Sequence, residues 1–499
     1  MTYPPPRTRR LIMLFAMVGA VMNQVDTTIA NVALPHMQGS TSASREQITW
    51  VLTSYIVASA ICTPLTGWLA SRFGRKRLML VSILGFTFVS GLCGIAANLG
   101  QLIAFRLLQG MFGSALVPMS QATMLDITPP EEHGKAMALF GLAAILGPLA
   151  GPLLGGYLTS AFSWHWVFLI NLPLGLIAFL GLSANMQEVR SAHPMRFDGL
   201  GFALLAIGVG AFQLMLDRGQ MLDWFESREI WVEAIVAGTA AYLMLVHVST
   251  TAHPFVSPAV FRDRNFVIST GLGFILGIMI YSVLSLLPPM MAELMGYPIM
   301  SIGMAMAPRG IGTMIATLFA GWMVGKIDGR LMVFAGLMIG SMSSWVLSNM
   351  TLEADATPII VSGVLNGMGS SLIFVPLAAM SFATLNPRYR NEGAAVGTLI
   401  RNLGGSIGIA VVQAVTIRNE ATVQSRLIEG VRPDNPAINA GMPDLDFSSI
   451  PALSGIDHEV VRQALMVSYV DVFWALFVIG AFSAPLVFLL RKPAAAKQG

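Results

Sequence analysis

Apolar runs of about twenty residues recur fourteen times along the chain, each ended by a short break rich in charge, proline or asparagine. They lie near 11–35, 46–70, 78–97, 101–123, 135–160, 165–186, 198–216, 230–249, 266–287, 301–325, 331–349, 358–383, 392–416 and 469–490. A helix needs about 20 apolar residues to cross a hydrocarbon core, and backbone facing lipid must satisfy its own hydrogen bonds. The pattern therefore predicts an all-α integral membrane protein with fourteen transmembrane helices, and an even number puts both termini on one side.

Composition agrees. Of the 499 residues 55% are apolar and 11% charged, with a mean hydropathy of +0.70. A water-soluble chain carries about 25% charge, so too little polar surface exists here to coat a body in water. Charge then chooses the side. With the termini in the cytoplasm, inner segments hold 19 of the 29 Lys and Arg, outer segments hold seven, and Arg106, Arg309 and Arg401 fall within runs. That bias predicts cytoplasmic termini. The basic start followed by an apolar run resembles a signal peptide. The run reaches residue 35 and thirteen more follow, so it reads as a first span. The net charge of +3 reflects loop topology and implies no nucleic-acid partner. Cys62 and Cys93 sit within runs and read as packing residues, and no metal-ligand spacing is present.

The chain also repeats itself. GWLASRFGR at 67–75 returns as GWMVGKIDGR at 321–330, an offset of 254, and LQGM at 108–111 returns as LNGM at 365–368, an offset of 257. Val117-Pro118 matches Val375-Pro376, and Gly134 matches Gly393, at offsets of 258 and 259. Offsets that drift in order are what small insertions produce. The repeat pairs spans eight apart. The expected division is an N-terminal six-helix bundle at 1–197, two inserted helices at 198–260, and a C-terminal six-helix bundle at 261–499 with an outer loop at 418–468. Parallel repeats of this kind bind substrate between two halves that rock about it.

Few ionisable residues lie inside the runs. Asp26 is nine residues before Pro35, roughly 13 Å below the outer end of span 1, and Arg106 lies about 8 Å into span 4. Either would cost several kcal/mol unpaired in lipid, so they read as a functional pair or as a static ion pair. Arg309 and Arg401 either line the cavity from the C-terminal half or pair with backbone carbonyls. Gln24, Gln109 and Gln121 are the remaining candidate cavity residues. Asp198, Glu233 and Asp471 lie at span ends and read as solvated or interfacial. The 32 methionines suit promiscuous apolar binding as well as plain packing. PDNPAINAGMPD at 433–444 reads as a turn-rich loop, and Asp457 to Tyr469 as an amphipathic helix.

At these residues the chain resembles the major facilitator superfamily, and within it the fourteen-span drug/proton antiporters of the EmrB/QacA type. The resemblance is carried by QVDTTIANVALP at 24–35, GWLASRFGRKR at 67–77, FRLLQG at 105–110, GPLAGPLLGG at 147–156, WHWVFLINLPLG at 164–175 and QLMLDRGQMLDWF at 213–225. It implies a proton-driven exporter of amphipathic or toxic compounds in an inner membrane, with Asp26 the proton carrier and Arg106 its regulator. It further implies a periplasmic adaptor (membrane fusion) protein and an outer-membrane channel as partners, and no cofactor. Gly67 and Gly74 allow close approach and a tight turn, while Arg72, Arg75, Lys76 and Arg77 reach carbonyls at helix C-termini or lipid headgroups. Ser71 stands where the family usually has Asp, which puts in doubt the inter-span ion pair of this loop. Gly147, Gly151, Gly155 and Gly156 let two helices touch, and Pro148 and Pro152 bend the span.

Two other classes compete. An uptake permease of the same superfamily, or an exporter of one specific metabolite, is the alternative. An enzyme or ATP-driven pump is excluded by its missing motifs: AGWMVGKI has the wrong spacing for a phosphate loop, with Ile327 where Ser or Thr is required.

Overall fold

The computed structural model of the chain describes residues 3–129, 132–188, 197–251, 254–324, 326–386, 389–432, 434–435 and 449–491. Among them the only extended pairing is one isolated bridge, Val324 to Ile327; the rest of the regular structure is helical. Helix α1 is Pro6–Thr41, opened by a proline whose missing N–H costs nothing there and closed by left-handed Ser42. Ser44 and Gln47 form a reciprocal capping box on α2 (Arg45–Cys62). Helix α3 (Leu65–Phe73) continues α2 after a 56° bend at Pro64, and Gly74, at φ +92°, turns the chain into α4 (Arg75–Cys93). Helices α5 (Leu99–Gly113) and α6 (Leu116–Asp126) make one span, followed by α7 (His133–Ala161), short α8 (Trp166–Leu169) and α9 (Asn171–Asn185).

Helices α10 (Gly199–Arg218) and α11 (Arg228–Thr250) are the pair expected to be inserted, followed by α12 (Pro258–Arg262) and the C-terminal half. That half comprises α13 (Arg264–Pro289), α14 (Ile299–Met306), α15 (Pro308–Met323), α16 (Gly329–Leu347), α17 (Thr357–Ala383), α18 (Arg390–Gly430) and α19 (Ile450–Ser483). Twelve of these stretches are long and apolar enough to cross a membrane, thirteen with the bent α2–α3 pair. The expected count of fourteen is reached only with the 29-residue α7 at the fifth position, where several side chains lie outside the described set.

The repeat reappears as packing. α1 lies on α7 as α13 lies on α18; α2 on α5 as α15 on α17; α4 on α5 as α16 on α17; α4 on α9 as α16 on α19. At the end carrying the Gly74 turn the two halves share one apolar core, in which Met124, Met137 and Phe140 meet Phe266, Val375 and Phe382. Towards the other end the cores separate: one holds residues 25–168 only, another residues 283–476 only. The inserted α10 packs on α2 and on α18. Asp217 accepts a hydrogen bond from Thr53 of α2, and Gln213 donates one to Ser406 of α18, so α10 is bonded to both halves.

One expectation changes. Residues 418–430 are helix, not loop, because nothing breaks α18 before Gly430: charges end an apolar run without ending a helix. At 41 residues α18 is roughly 60 Å long, about twice the hydrocarbon thickness. The helix expected at Asp457–Tyr469 is the continuous first part of α19. The turn-rich stretch at 433–444 lies outside the described residues, apart from Asp434 and Asn435.

Candidate functional site

Asp26 and Arg106 meet. Both side chains are 0% exposed, and Arg106 Nη1 donates to Asp26 Oδ2 at 2.5 Å. The pair is enclosed within the N-terminal half. Nη1 also donates to Gln109 Oε1 at 2.8 Å, and Nε donates to the Val51 carbonyl at 3.1 Å. The other carboxylate oxygen accepts from Gln109 Nε2 at 2.9 Å and Asn171 Nδ2 at 3.1 Å. Asn171 is held in turn by Ser90, whose hydroxyl donates to the Phe168 carbonyl. The guanidinium lies over the Tyr55 ring at 4.2 Å, and Tyr55 accepts from Asn23. Four helices (α1, α5, α9 and, through Tyr55, α2) thus converge on one carboxylate.

Such a pair persists in an apolar interior because most of its hydrogen-bonding positions are filled. Removing either member leaves the other as a buried charge without its counter-charge. Arg106 Nη2 is buried with no hydrogen-bond partner among the described residues.

Gln109, expected along the cavity, belongs to this network. Asn171 and Ser90 were not singled out in the sequence. Their signal was present, an amide in LINLP and a hydroxyl in FVSGL, each within an otherwise apolar run.

The glycines explain how α1 approaches. A Cβ on Gly147 would lie 2.3 Å from Gln24 Cβ, one on Gly151 2.0 Å from Thr28 Oγ1, and one on Gly155 3.0 Å from the Ile29 carbonyl. Only hydrogen fits there, so α7 lies backbone to backbone against the helix that carries Asp26. Gly156 points away, with nothing within 4 Å. α7 is one helix through Pro148 and Pro152, whose side chains lie outside the described set.

The loop after α3 forms an ion pair despite Ser71. Arg75 pairs with Asp126, which Arg390 of the C-terminal half also reaches at 3.6 Å. Ser71 satisfies itself on the Trp68 carbonyl, and a second acid serves the turn: Glu188 accepts from the backbone N–H of Lys76 and Arg77, both at 3.2 Å. A side chain at Gly74 would overlap that carboxylate. Lys76 Nζ donates to the Ser183 carbonyl near the end of α9, the helix C-terminal contact expected of this loop. Gly67 is buried and Arg72 exposed in the last turn of α3.

Asp198 departs from expectation. Its side chain is 9% exposed; it caps α10 through Gly201 N–H, accepts from Phe255 N–H at 2.9 Å and meets His247 at 2.8 Å. Burial pulls its carboxyl upward, but the bonds from Gly201, His247 and Phe255 outweigh this and hold it below its ordinary value. Sequence alone could not foresee partners 49 and 57 residues away.

In the C-terminal half, Arg309 Nε donates to Asn366 Oδ1 at 3.0 Å, and Arg401 lies over the Phe374 ring at 5.4 Å. Arg401 and Gln121 line one cavity with Thr270, Ser381 and Thr398. Cys62 and Cys93 are free thiols.

Comparison with known proteins accords with this geometry. Residues 16–409 match the family model described as Major Facilitator Superfamily. The chain is 35% identical to the multidrug export protein EmrB of Escherichia coli (strain K12), covering 98% of this chain and 97% of that one. It is 32% identical to the fatty acid resistance protein FarB of Neisseria gonorrhoeae, covering 99% and 98%. The crystal structure of the human organic anion transporter MFSD10 superimposes with a TM-score of 0.61 at 13% identity, over 96% of this chain and 100% of that one, which speaks to the fold alone. The chain belongs to the Major Facilitator Superfamily, in its EmrB-type branch. It is a multi-pass membrane transporter rather than an enzyme.

Proposed function

We propose that this protein is a proton-driven exporter of amphipathic organic compounds, a drug:proton antiporter working by alternating access across an inner membrane with both termini cytoplasmic. The observation that carries the reading is the enclosed Asp26–Arg106 pair on α1, the helix that α7 grips through Gly147, Gly151 and Gly155. When rocking draws Arg106 away, the carboxyl is stranded in apolar surroundings and takes up a proton. When Arg106 returns, the ion pair re-forms and the proton leaves. Export fits the names of relatives spanning nearly the whole chain.

On this reading the division is 1–197, 198–260 and 261–499. The shared core beside the Gly74 turn then closes the cytoplasmic side, with the cleft open outward. The part of α18 beyond the hydrocarbon reaches into the periplasm, where an adaptor protein would meet it.

The test is substrate uptake into inverted proteoliposomes under an imposed pH gradient. Wild type accumulates substrate with the gradient and stops when it is dissipated. Asp26→Asn still binds substrate but shows no gradient-driven accumulation. Full gradient-driven transport by Asp26→Asn removes it as the proton carrier.

A further inference from the structure

The two halves differ in their charges at the same depth. An offset of 257 residues sets Gly363 opposite Arg106 and Asn366 opposite Gln109. The guanidinium of the C-terminal half comes instead from α15: Arg309 bonds Asn366 and stands beside Gly363. It lies on the face of α15 that buries Gly312, Thr313 and Ala316, away from the face exposing Ile311, Ile315 and Leu318. Arg401 is nearby, for its carbonyl packs on Gly277, one turn before Tyr281 in α13, and Tyr281 is within electrostatic reach of both arginines.

Among the described residues, neither guanidinium has a carboxylate at ion-pair distance. The cavity at Arg401 has no acidic residue in its lining and includes Gln121 from the other half, so it lies between the halves. Asp26 cannot serve, since Arg106, Gln109 and Asn171 occupy it. Asp217 is spent on Thr53 at the far end of α10. Two cations at membrane depth without counter-charge are costly unless something anionic visits them. A carboxylate is the matching group, because guanidinium presents parallel N–H donors to it. Phe374 and Phe266, which line the cavity with Arg401, supply an apolar wall for the rest of such a molecule.

We propose that Arg309 and Arg401 form an anion-recognition pair and that the substrate class is an amphipathic organic carboxylate. This rests on the transport reading above but not on its proton coupling. The test is equilibrium binding of three matched fluorescent probes, pyrenebutyrate, pyrenebutanol and pyrenebutyl-trimethylammonium, to the purified full chain in neutral detergent without any gradient. Pyrenebutyrate binds about tenfold or more tightly than the other two, the size expected of charge-assisted hydrogen bonds. Arg309→Gln and Arg401→Gln each weaken pyrenebutyrate by about tenfold and leave pyrenebutanol nearly unchanged, while the lysine variants recover most of the loss. Binding indifferent to charge, preference for the cation, or glutamine variants that keep full discrimination would overturn the proposal. Should a variant fail to fold, the wild-type ranking of the three probes decides alone. Anion preference without gradient-driven efflux leaves this inference standing and removes only the proton-coupled reading.

Discussion

The N-terminal half encloses a carboxylate and a guanidinium within one bonded network, whereas in the C-terminal half two guanidiniums have no carboxylate at ion-pair distance among the described residues. The halves share their helix pairings and differ in what those pairings hold. Matching helix pairings thus surround an enclosed ion pair in one half and two guanidiniums with no carboxylate among the described residues in the other. The lesson is that a repeat conserves backbone geometry, which packing enforces, while charge at equivalent depth is free to diverge wherever a glycine or a hydroxyl leaves room. The close approach to Arg309 is at Gly367, where a Cβ would lie 2.2 Å from the Arg309 carbonyl, so only a glycine lets α15 carry Arg309 this near α17.

The comparison can be broken by stability. Arg106→Ala strands Asp26 in an apolar interior and should cost about 3–5 kcal/mol, seen as a large fall in thermal unfolding temperature in detergent. Arg309→Ala removes an uncompensated charge and should cost far less or nothing. Equal losses in the two variants would erase the distinction between a sealed pair and an open surface.

Helix contact gives the next test. Gly151→Leu must displace Thr28, two residues from Asp26, and overpacking of this kind costs about 1–3 kcal/mol. Protein should remain in the membrane while efflux is lost, because α1 can no longer hold Asp26 against Arg106. Normal efflux would show that the grip of α7 on α1 is dispensable.

The smallest effect sharpens the comparison at the junction of the inserted pair. The folded Asp198 carboxyl lies below its ordinary value, so its contribution is present above the ordinary carboxylate range and is lost as pH falls through the lowered value. Asp198→Asn should lower the unfolding temperature slightly and constantly from pH 6 to about 4, with the gap to wild type closing below that. Asparagine caps helices as well as aspartate, so the effect isolates the charge at under about 1 kcal/mol. A gap that does not close in acid would mean the charge contributes nothing.

Much of this was legible in one dimension, for physical reasons. Lipid offers no hydrogen bonds, so every span had to announce itself as an apolar run. A charge inside such a run is costly enough that Asp26, Arg106, Arg309 and Arg401 stood out individually. Glycine where helices touch was readable at 147, 151 and 155, since no other residue fits. Asn171 and Ser90 were not, because a neutral amide or hydroxyl costs little in a helix and carries no mark of its partner. Glu188 escaped notice for the same reason that Ser71 misled: a carboxylate can cap the Gly74 turn from 112 residues away as well as from the loop itself.

The sequence by itself determined the membrane, the helices and the repeat, because these follow from local hydrophobicity and from spacing along one chain, and its motifs carried the resemblance to the family. Only the tertiary structure decided that Asp26 is sealed by Gln109 and Asn171, that α10 is bonded to both halves, and that Arg309 and Arg401 have no carboxylate at ion-pair distance among the described residues. Those are relations between residues far apart in sequence, set by how helices approach, and no local pattern encodes the distance between them.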